Sequence, residues 1–315
     1  MTTSWSRYLG NEINGQARYP NYPNVPSGGR PPSVQEYQHM LLNIVEPMLK
    51  ASPALPLRLL TVSGSVPWNQ AWAEAVGDHV FATSFHDGYM SQPRTFTQDA
   101  VTACAKRPRG DFMNAVRSLR SSLDATNKTI AISADEWGLG PPWVVQKFAV
   151  AHGMYAAGFL GAITRGAREN NLQMSNYFEP VNEGAIQVLP FNSTLTPVGQ
   201  VMRLFSHHTG GTLLEVPDAA INGSLDTTAT AGADGKTLVV TLANLNAVGW
   251  AGCNVTMTVR GWFAASGSVS TLKAQGFGEQ DMFEAHTAAA PPLVEGGVAH
   301  VYVPPFSVAQ ITYSQ

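Results

Sequence analysis

Residues 129–140 read TIAISADEWGLG: an apolar, β-branched run ends in two acids and a tryptophan, and glycine follows at once. Ile130, Ala131 and Ile132 have the composition of a strand covered on both faces, as the strands of a parallel sheet are. A surface loop would hold Asp135 and Glu136 at no desolvation cost. Their place at the tip of a core strand predicts that the strand aims one of them. Neighbouring strand residues face opposite sides, so Asp135 is expected to point away from the mouth that Glu136 faces.

The same texture recurs on both sides of this stretch. SRYLGNE is a short strand ending in polar residues, and Ser33 with Glu36 makes a capping box that opens a helix over 33–50. Strands are expected over 57–65, 79–89 and 171–180, and helices over 68–76, 110–126, 144–169 and 196–210. Alternation of this kind means a parallel sheet with helical crossovers. The polar residues gather at the C-terminal strand ends, where a barrel builds its site. The count comes to about five strand–helix units, not eight, which predicts an incomplete (β/α) TIM-type barrel over residues 1–208. From 209 to 315 short alternating runs are parted by Gly, Asn, Asp and Pro, the pattern of an antiparallel β-sandwich.

Composition narrows the function. Of 315 residues 44% are hydrophobic and 13% charged, which suits a large packed core and not disorder. A net charge of −3 with no basic stripe argues against nucleic acid or an anionic membrane as partner. The basic cluster AKRPRG, around Lys106 and Arg109, reads as a solvated loop. His207 and His208 stand at a helix end, where a cation favours the dipole. Cys104 and Cys253 lie too far apart for a zinc-type spacing. No His/Asp/Glu pattern reads as a metal site, no glycine-rich loop reads as phosphate-binding, and no cofactor is expected. With neither a signal-type N-terminus nor an apolar run of membrane length, the expectation is a soluble, cytoplasmic protein.

Two strand tips carry acids beside glycine: YLGNEING with Asn11 and Glu12, and SADEWGLG with Glu136. In a barrel both face one mouth, and two carboxyl groups there can flank a glycosidic bond. One protonates the leaving oxygen; the other attacks the anomeric carbon when the pair is about 5 Å apart.

LGNEING resembles the acid/base motif, and ADEWG the nucleophile motif, of family 51 glycoside hydrolases, the retaining α-L-arabinofuranosidases. The resemblance implies Glu12 as general acid/base, Glu136 as nucleophile and Asn11 as hydrogen-bond partner of the sugar 2-hydroxyl. FATSFHDGY is similar to the family's Ser-x-His-x-Tyr segment, which brings in His86 and, one position late, Tyr89. MSNYFEPVNEG is similar to the family's last barrel strand, with Glu179 where a sugar-contacting glutamine stands. Trp137 beside the nucleophile is a further substrate-contact candidate. The family's barrel is followed by a β-sandwich, so the likeness covers nearly the whole chain. If Glu12 ends the fourth barrel strand, the first three strands have no counterpart here. A carbohydrate substrate is implied. A different retaining activity of the same clan (β-galactosidase, β-xylosidase or endoglycanase) and a non-catalytic carbohydrate-binding relic are the alternatives. An open arc leaves two sheet edges to be covered, which predicts a homo-oligomer, with residues 13–32 as another candidate cover.

Overall fold

The computed structural model describes residues 6–8, 32–51, 58–91, 93, 95–140, 149–178, 180–181, 184–217, 223–262, 264, 266–278, 281–291, 293 and 297–315, with the backbone alone for 6–8 and 89–91. Asn11, Glu12, Glu179 and the cover segment up to residue 31 lie outside them.

The first two-thirds of the chain are strands alternating with helices: β1 (Ser6–Tyr8), α1 (Val34–Ala51), β2 (Arg58–Val62), α2 (Val66–Val76), β3 (Val80–Ser84), β4 (Gly88–Ser91), α3 (Gln98–Arg107), α4 (Met113–Asp124), β5 (Ala131–Gly140), α5 (Val150–Gly166) and β6 (Leu172–Tyr177). A hairpin of β7 (Ile186–Leu189) and β8 (Asn192–Leu195) precedes α6 (Pro197–Phe205). The capping box forms as read: Ser33 N–H donates to Glu36 Oε2 at 2.6 Å, and Glu36 N–H to Ser33 Oγ at 3.2 Å. From there Tyr37, Leu41 and Val45 bury one helical stripe.

These elements form the expected incomplete (β/α) barrel, and a β-sandwich follows it. The parallel register runs Tyr8 to Leu60, Leu60 to Ala82 and Ala82 to Ala131. Side chains opposite one another share a face, and Leu60, Ala82 and Ala131 accordingly pack as one apolar cluster.

By compactness the chain divides into two units that are not contiguous in sequence. One comprises residues 1–87, 114–136 and 167–176; the other comprises 88–113, 137–166 and 177–315. The second unit holds the sandwich: β9 (Thr212–Leu213), β10 (Leu225–Ala231), β11 (Thr237–Asn244), β12 (Cys253–Thr258), β13 (Gly267–Ala274), β14 (Phe283–Ala289), β15 (Val298–Val303) and β16 (Ser307–Ser314). Six of these form a sheet in the order β14-β13-β16-β11-β10-β9, and β12 pairs with β15. Leu238, Val240, Ile311 and Tyr313 from the large sheet meet Val301 and Val303 from the small one in a single core. Helices α3, α5 and α6 belong to the same unit, and α5 packs on both other helices and on β10, β11 and β16. Its small residues permit this: a Cβ on Gly158 would stand 2.3 Å from the Ala105 carbonyl oxygen of α3.

Two expectations need correction. AKRPRG is no solvated loop. It ends α3 and enters a π-helical turn, Pro108–Phe112, where the Arg109 guanidinium donates to the carbonyls of Leu225 and Gly223 at 3.1 and 2.8 Å. His208 is not a helix-end cation, because its two ring nitrogens meet Thr230 Oγ1 and Thr241 Oγ1, each at 2.8 Å, and burial lowers its pKa to about 4. The strand that carries the acids runs on past them to Gly140, with β4 as its partner there.

Candidate active site

Strand β5 changes partners at its acids. Up to Ser133 it pairs with β3, which ends at Ser84; from Trp137 it pairs with β4, which begins at Gly88. Residues 85–87 leave the ladder between the two strands, and the Phe85 N–H still donates to the Ser133 carbonyl at 2.8 Å. His86 stands on this excursion opposite Asp135 and Glu136.

The imidazole lies between the two carboxylates. Its Nδ1 is 3.5 Å from Glu136 Oε2, and its Nε2 is 3.6 Å from Asp135 Oδ1 and 3.0 Å from Ser84 Oγ. Asp135 Oδ1 accepts from Ser84 Oγ at 3.0 Å and from the Phe85 N–H at 3.2 Å. A hydroxyl has one hydrogen. With Ser84 donating to Asp135, its oxygen is left to accept from His86 Nε2–H, and Nδ1 is the ring nitrogen facing Glu136. Access differs between the acids: the Asp135 side chain is 6% exposed, that of Glu136 20% and that of His86 16%. Asp135 is therefore a sheltered anchor for the ring, and Glu136 is the carboxylate a solute can reach.

Asp135 and Ser84 are the residues that sequence reasoning passed over. The expectation that Asp135 turns away from Glu136 followed strand alternation, and it holds only to the extent that the two acids reach different nitrogens of one ring. The sequence signal was there: Ser84 and His86, two apart at the end of a strand, face the same way.

Other candidates fall elsewhere or lie beyond description. Trp137 is 1% exposed, with its ring stacked on Phe159 at 4.3 Å and set edge-on to Tyr177 at 4.8 Å. Tyr89 is on β4, paired with Gly138, and only its backbone is described. Asn11, Glu12 and Glu179 lie outside the described residues, so no distance joins them to Glu136. No group of His, Cys, Asp or Glu among the described residues could hold a metal ion, and no described helix is long and apolar enough to cross a membrane.

A cavity of about 600 Å³ adjoins the cluster, entirely within the first unit. Its wall runs from the β2–α2 turn, through Ser84 to Asp87, to the α4 residues Ser118 and Ser122.

No family model matches the chain, and no curated protein matches it in sequence. Solved structures do resemble it in fold. An α-L-arabinofuranosidase from Thermotoga maritima in complex with arabinose superposes with a TM-score of 0.75 at 17% identity, over 98% of this chain and 66% of that one. The family 51 α-L-arabinofuranosidase from Thermotoga petrophila gives 0.74 at 17% identity with the same coverage. A family 44 xyloglucanase from Paenibacillus polymyxa gives 0.66 at 11% identity, again over 98% and 66%. The chain thus has a glycoside hydrolase fold, like that of family 51, over 66% of the length of these enzymes and with an incomplete barrel.

Proposed function

We propose that the chain is a retaining glycoside hydrolase acting on terminal α-L-arabinofuranosides. The observation that carries this reading is the placement of Glu136: a solvent-reachable carboxylate at the point where β5 changes partners, 3.5 Å from a nitrogen of a histidine ring that Ser84 and Asp135 hold from behind. In the proposed reaction a Glu136 oxygen attacks the anomeric carbon while the bond to the leaving oxygen breaks, and Glu12 gives that oxygen its proton. Water then attacks the same carbon and yields a proton to Glu12, and the Glu136 carboxylate departs. Glu12, together with Asn11, Tyr89 and Glu179 as sugar contacts, enters from its motif alone. Trp137, buried and next to Glu136 in the chain, is proposed to set the backbone on which Glu136 stands. The sandwich boundary near residue 209 and a homo-oligomer that covers the barrel edges belong to the same proposal, and light scattering reads the latter.

A second reading, endo-acting cleavage of a glucan chain, draws on the likeness to the family 44 xyloglucanase. Aryl α-L-arabinofuranosides assayed beside aryl β-galactosides, aryl β-xylosides and xyloglucan separate the two. The first reading expects turnover of the arabinofuranoside and its loss by about 10³-fold or more in both Glu12→Gln and Glu136→Gln. Turnover that survives either substitution contradicts it.

A further inference from the structure

The second unit carries an aromatic surface where β11 turns into β12. Residues 246–252 read NAVGWAG and contain no charge. The turn is held from two sides. Buried Asn244 donates through Nδ2 to the carbonyls of Ala251 and Pro304 at 3.1 and 3.0 Å. From α3 and its N-cap side, Thr102 Oγ1 accepts from the Ala247 N–H at 2.8 Å and Gln98 Oε1 from the Gly249 N–H at 3.1 Å. Trp250 has a φ of 47°, in the left-handed region that a bulky side chain rarely adopts, directly after Gly249 at 68°. Its half-buried indole meets Phe277 with 6.0 Å between ring centroids. Two residues on, a Cβ at Gly252 would collide with the Tyr302 hydroxyl, so the glycine is what lets that ring lie over the start of β12. Tyr302 is 59% exposed and pairs across the ladder with Asn254. The next outward pair, Thr256 and His300, is joined from Oγ1 to Nδ1 at 3.1 Å, while Val301 and Val303 face the core.

We infer that Trp250, Tyr302 and the outward face of β12 and β15 form a surface site for a neutral polysaccharide chain, built from none of the residues of the acid cluster. Two aromatic rings supply flat apolar faces of the kind that suit the C–H side of a sugar ring, and each ends in a polar group. Among the described residues neither the Trp250 Nε1–H nor the Tyr302 hydroxyl has a hydrogen-bond partner, so both remain available to a ligand. Beside them Asn254, Thr256 and His300 both donate and accept, as sugar hydroxyls do. Asp281, on the turn that carries Phe277, spends its carboxylate on the Gly278 N–H at 2.6 Å. Outward residues recur roughly every 7 Å along a strand, which fits a run of sugar rings better than a single one. The left-handed backbone at Trp250 points the same way. Such strain persists only where the surroundings over-determine it, and it gathers at ligand clamps. The bonds from Asn244, Thr102 and Gln98 hold the turn, so little ordering remains to be lost on binding.

The test is affinity electrophoresis of the full chain in native gels cast with arabinoxylan, linear arabinan or xyloglucan, in the Glu136→Gln background so that nothing is cleaved. At least one polysaccharide is expected to retard the chain. Trp250→Gly removes the ring and relieves the left-handed backbone; it should weaken binding by about tenfold or more with the thermal midpoint unchanged or raised. Tyr302→Ala should weaken binding by a similar factor, and Tyr302→Phe, which keeps the ring, by about two- to fivefold. Retardation undiminished in both Trp250→Gly and Tyr302→Ala puts the polysaccharide elsewhere on the chain and overturns the inference. Retardation by none of the three polysaccharides overturns it too, as does a concentration-dependent dimer that Tyr302→Ala dissociates. With Glu136 intact, Trp250→Gly and Tyr302→Ala should turn over an aryl α-L-arabinofuranoside at the rate of the unmodified chain. The surface therefore stands or falls apart from the glycosidase reading: a chain that cleaves no glycoside can still be retarded, and retardation lost in the two variants supports the site.

Discussion

Each unit holds polar groups out of water, and each does so differently. In the second unit Asp226, 2% exposed, meets Arg165 through two hydrogen bonds of 2.5 and 2.8 Å, and the same guanidinium reaches the Thr227 carbonyl and Thr228 Oγ1. His208 has a threonine hydroxyl on each ring nitrogen. At Asp226 and His208 these clusters are sealed. In the first unit the chain Asp135–Ser84–His86–Glu136 is closed at one end, where Asp135 is buried, and open at the other, where Glu136 reaches solvent. A sealed cluster gives a stability contribution and nothing else. An open one presents a carboxylate that a solute can reach.

The largest expected effect tests the sealed end. Asp226→Ala leaves the Arg165 guanidinium, 17% exposed, without its counter-charge, and should cost about 3–5 kcal/mol in chemical denaturation. Glu136→Gln, at the open end, should cost less than about 1 kcal/mol in the same experiment. A loss at Glu136 as large as that at Asp226 would break the distinction.

The next effect is a pH dependence. In the fold His208 titrates near 4, below its ordinary 6.5, because burial penalises the imidazolium and His207 repels it. The unfolded chain takes up this proton first as pH falls. Stability is therefore full above about 6.5 and declines toward 4, by about 1.4 kcal/mol per pH unit at the steepest. His208→Phe should be less stable at pH 7 and should lack this segment of the curve; an unchanged slope would refute the assignment.

The smallest effect sharpens the open end. Ser84→Ala removes one hydroxyl from a partly solvated cluster and should cost about 1 kcal/mol in stability. Through the freed ring it should also displace the pH profile of turnover. A profile superposable on that of the unmodified chain would reduce Ser84 to a packing residue.

What the sequence revealed follows from the kind of signal each element carries. β5 and α1 were legible because a β-branched run and a reciprocal Ser33–Glu36 cap are local statements. α3 was not, because its buried face is Val101, Thr102, Cys104 and Ala105, too small and polar to stand out from AKRPRG behind it. β10 was missed for a related reason: Asp226, Thr227, Thr228 and Thr230 are buried there, and a buried threonine strand has no hydrophobic alternation to read. In the acid cluster, the motif pointed to Glu136 and His86, whereas the excursion at 85–87 that brings Ser84 and Asp135 to the same ring depends on β4 taking over the edge of β5. That pairing is tertiary, and no local pattern announces it.

The central claim, that Glu136 is a nucleophile, has a direct chemical test. The chain is turned over with an activated aryl α-L-arabinofuranoside bearing fluorine at C2, quenched in acid, digested and examined by peptide mass spectrometry. The account predicts one covalent pentosyl adduct, on the β5 peptide at Glu136, that disappears in Glu136→Gln. An adduct on any other side chain, or steady release of the aryl group with the β5 peptide unmodified, would contradict it.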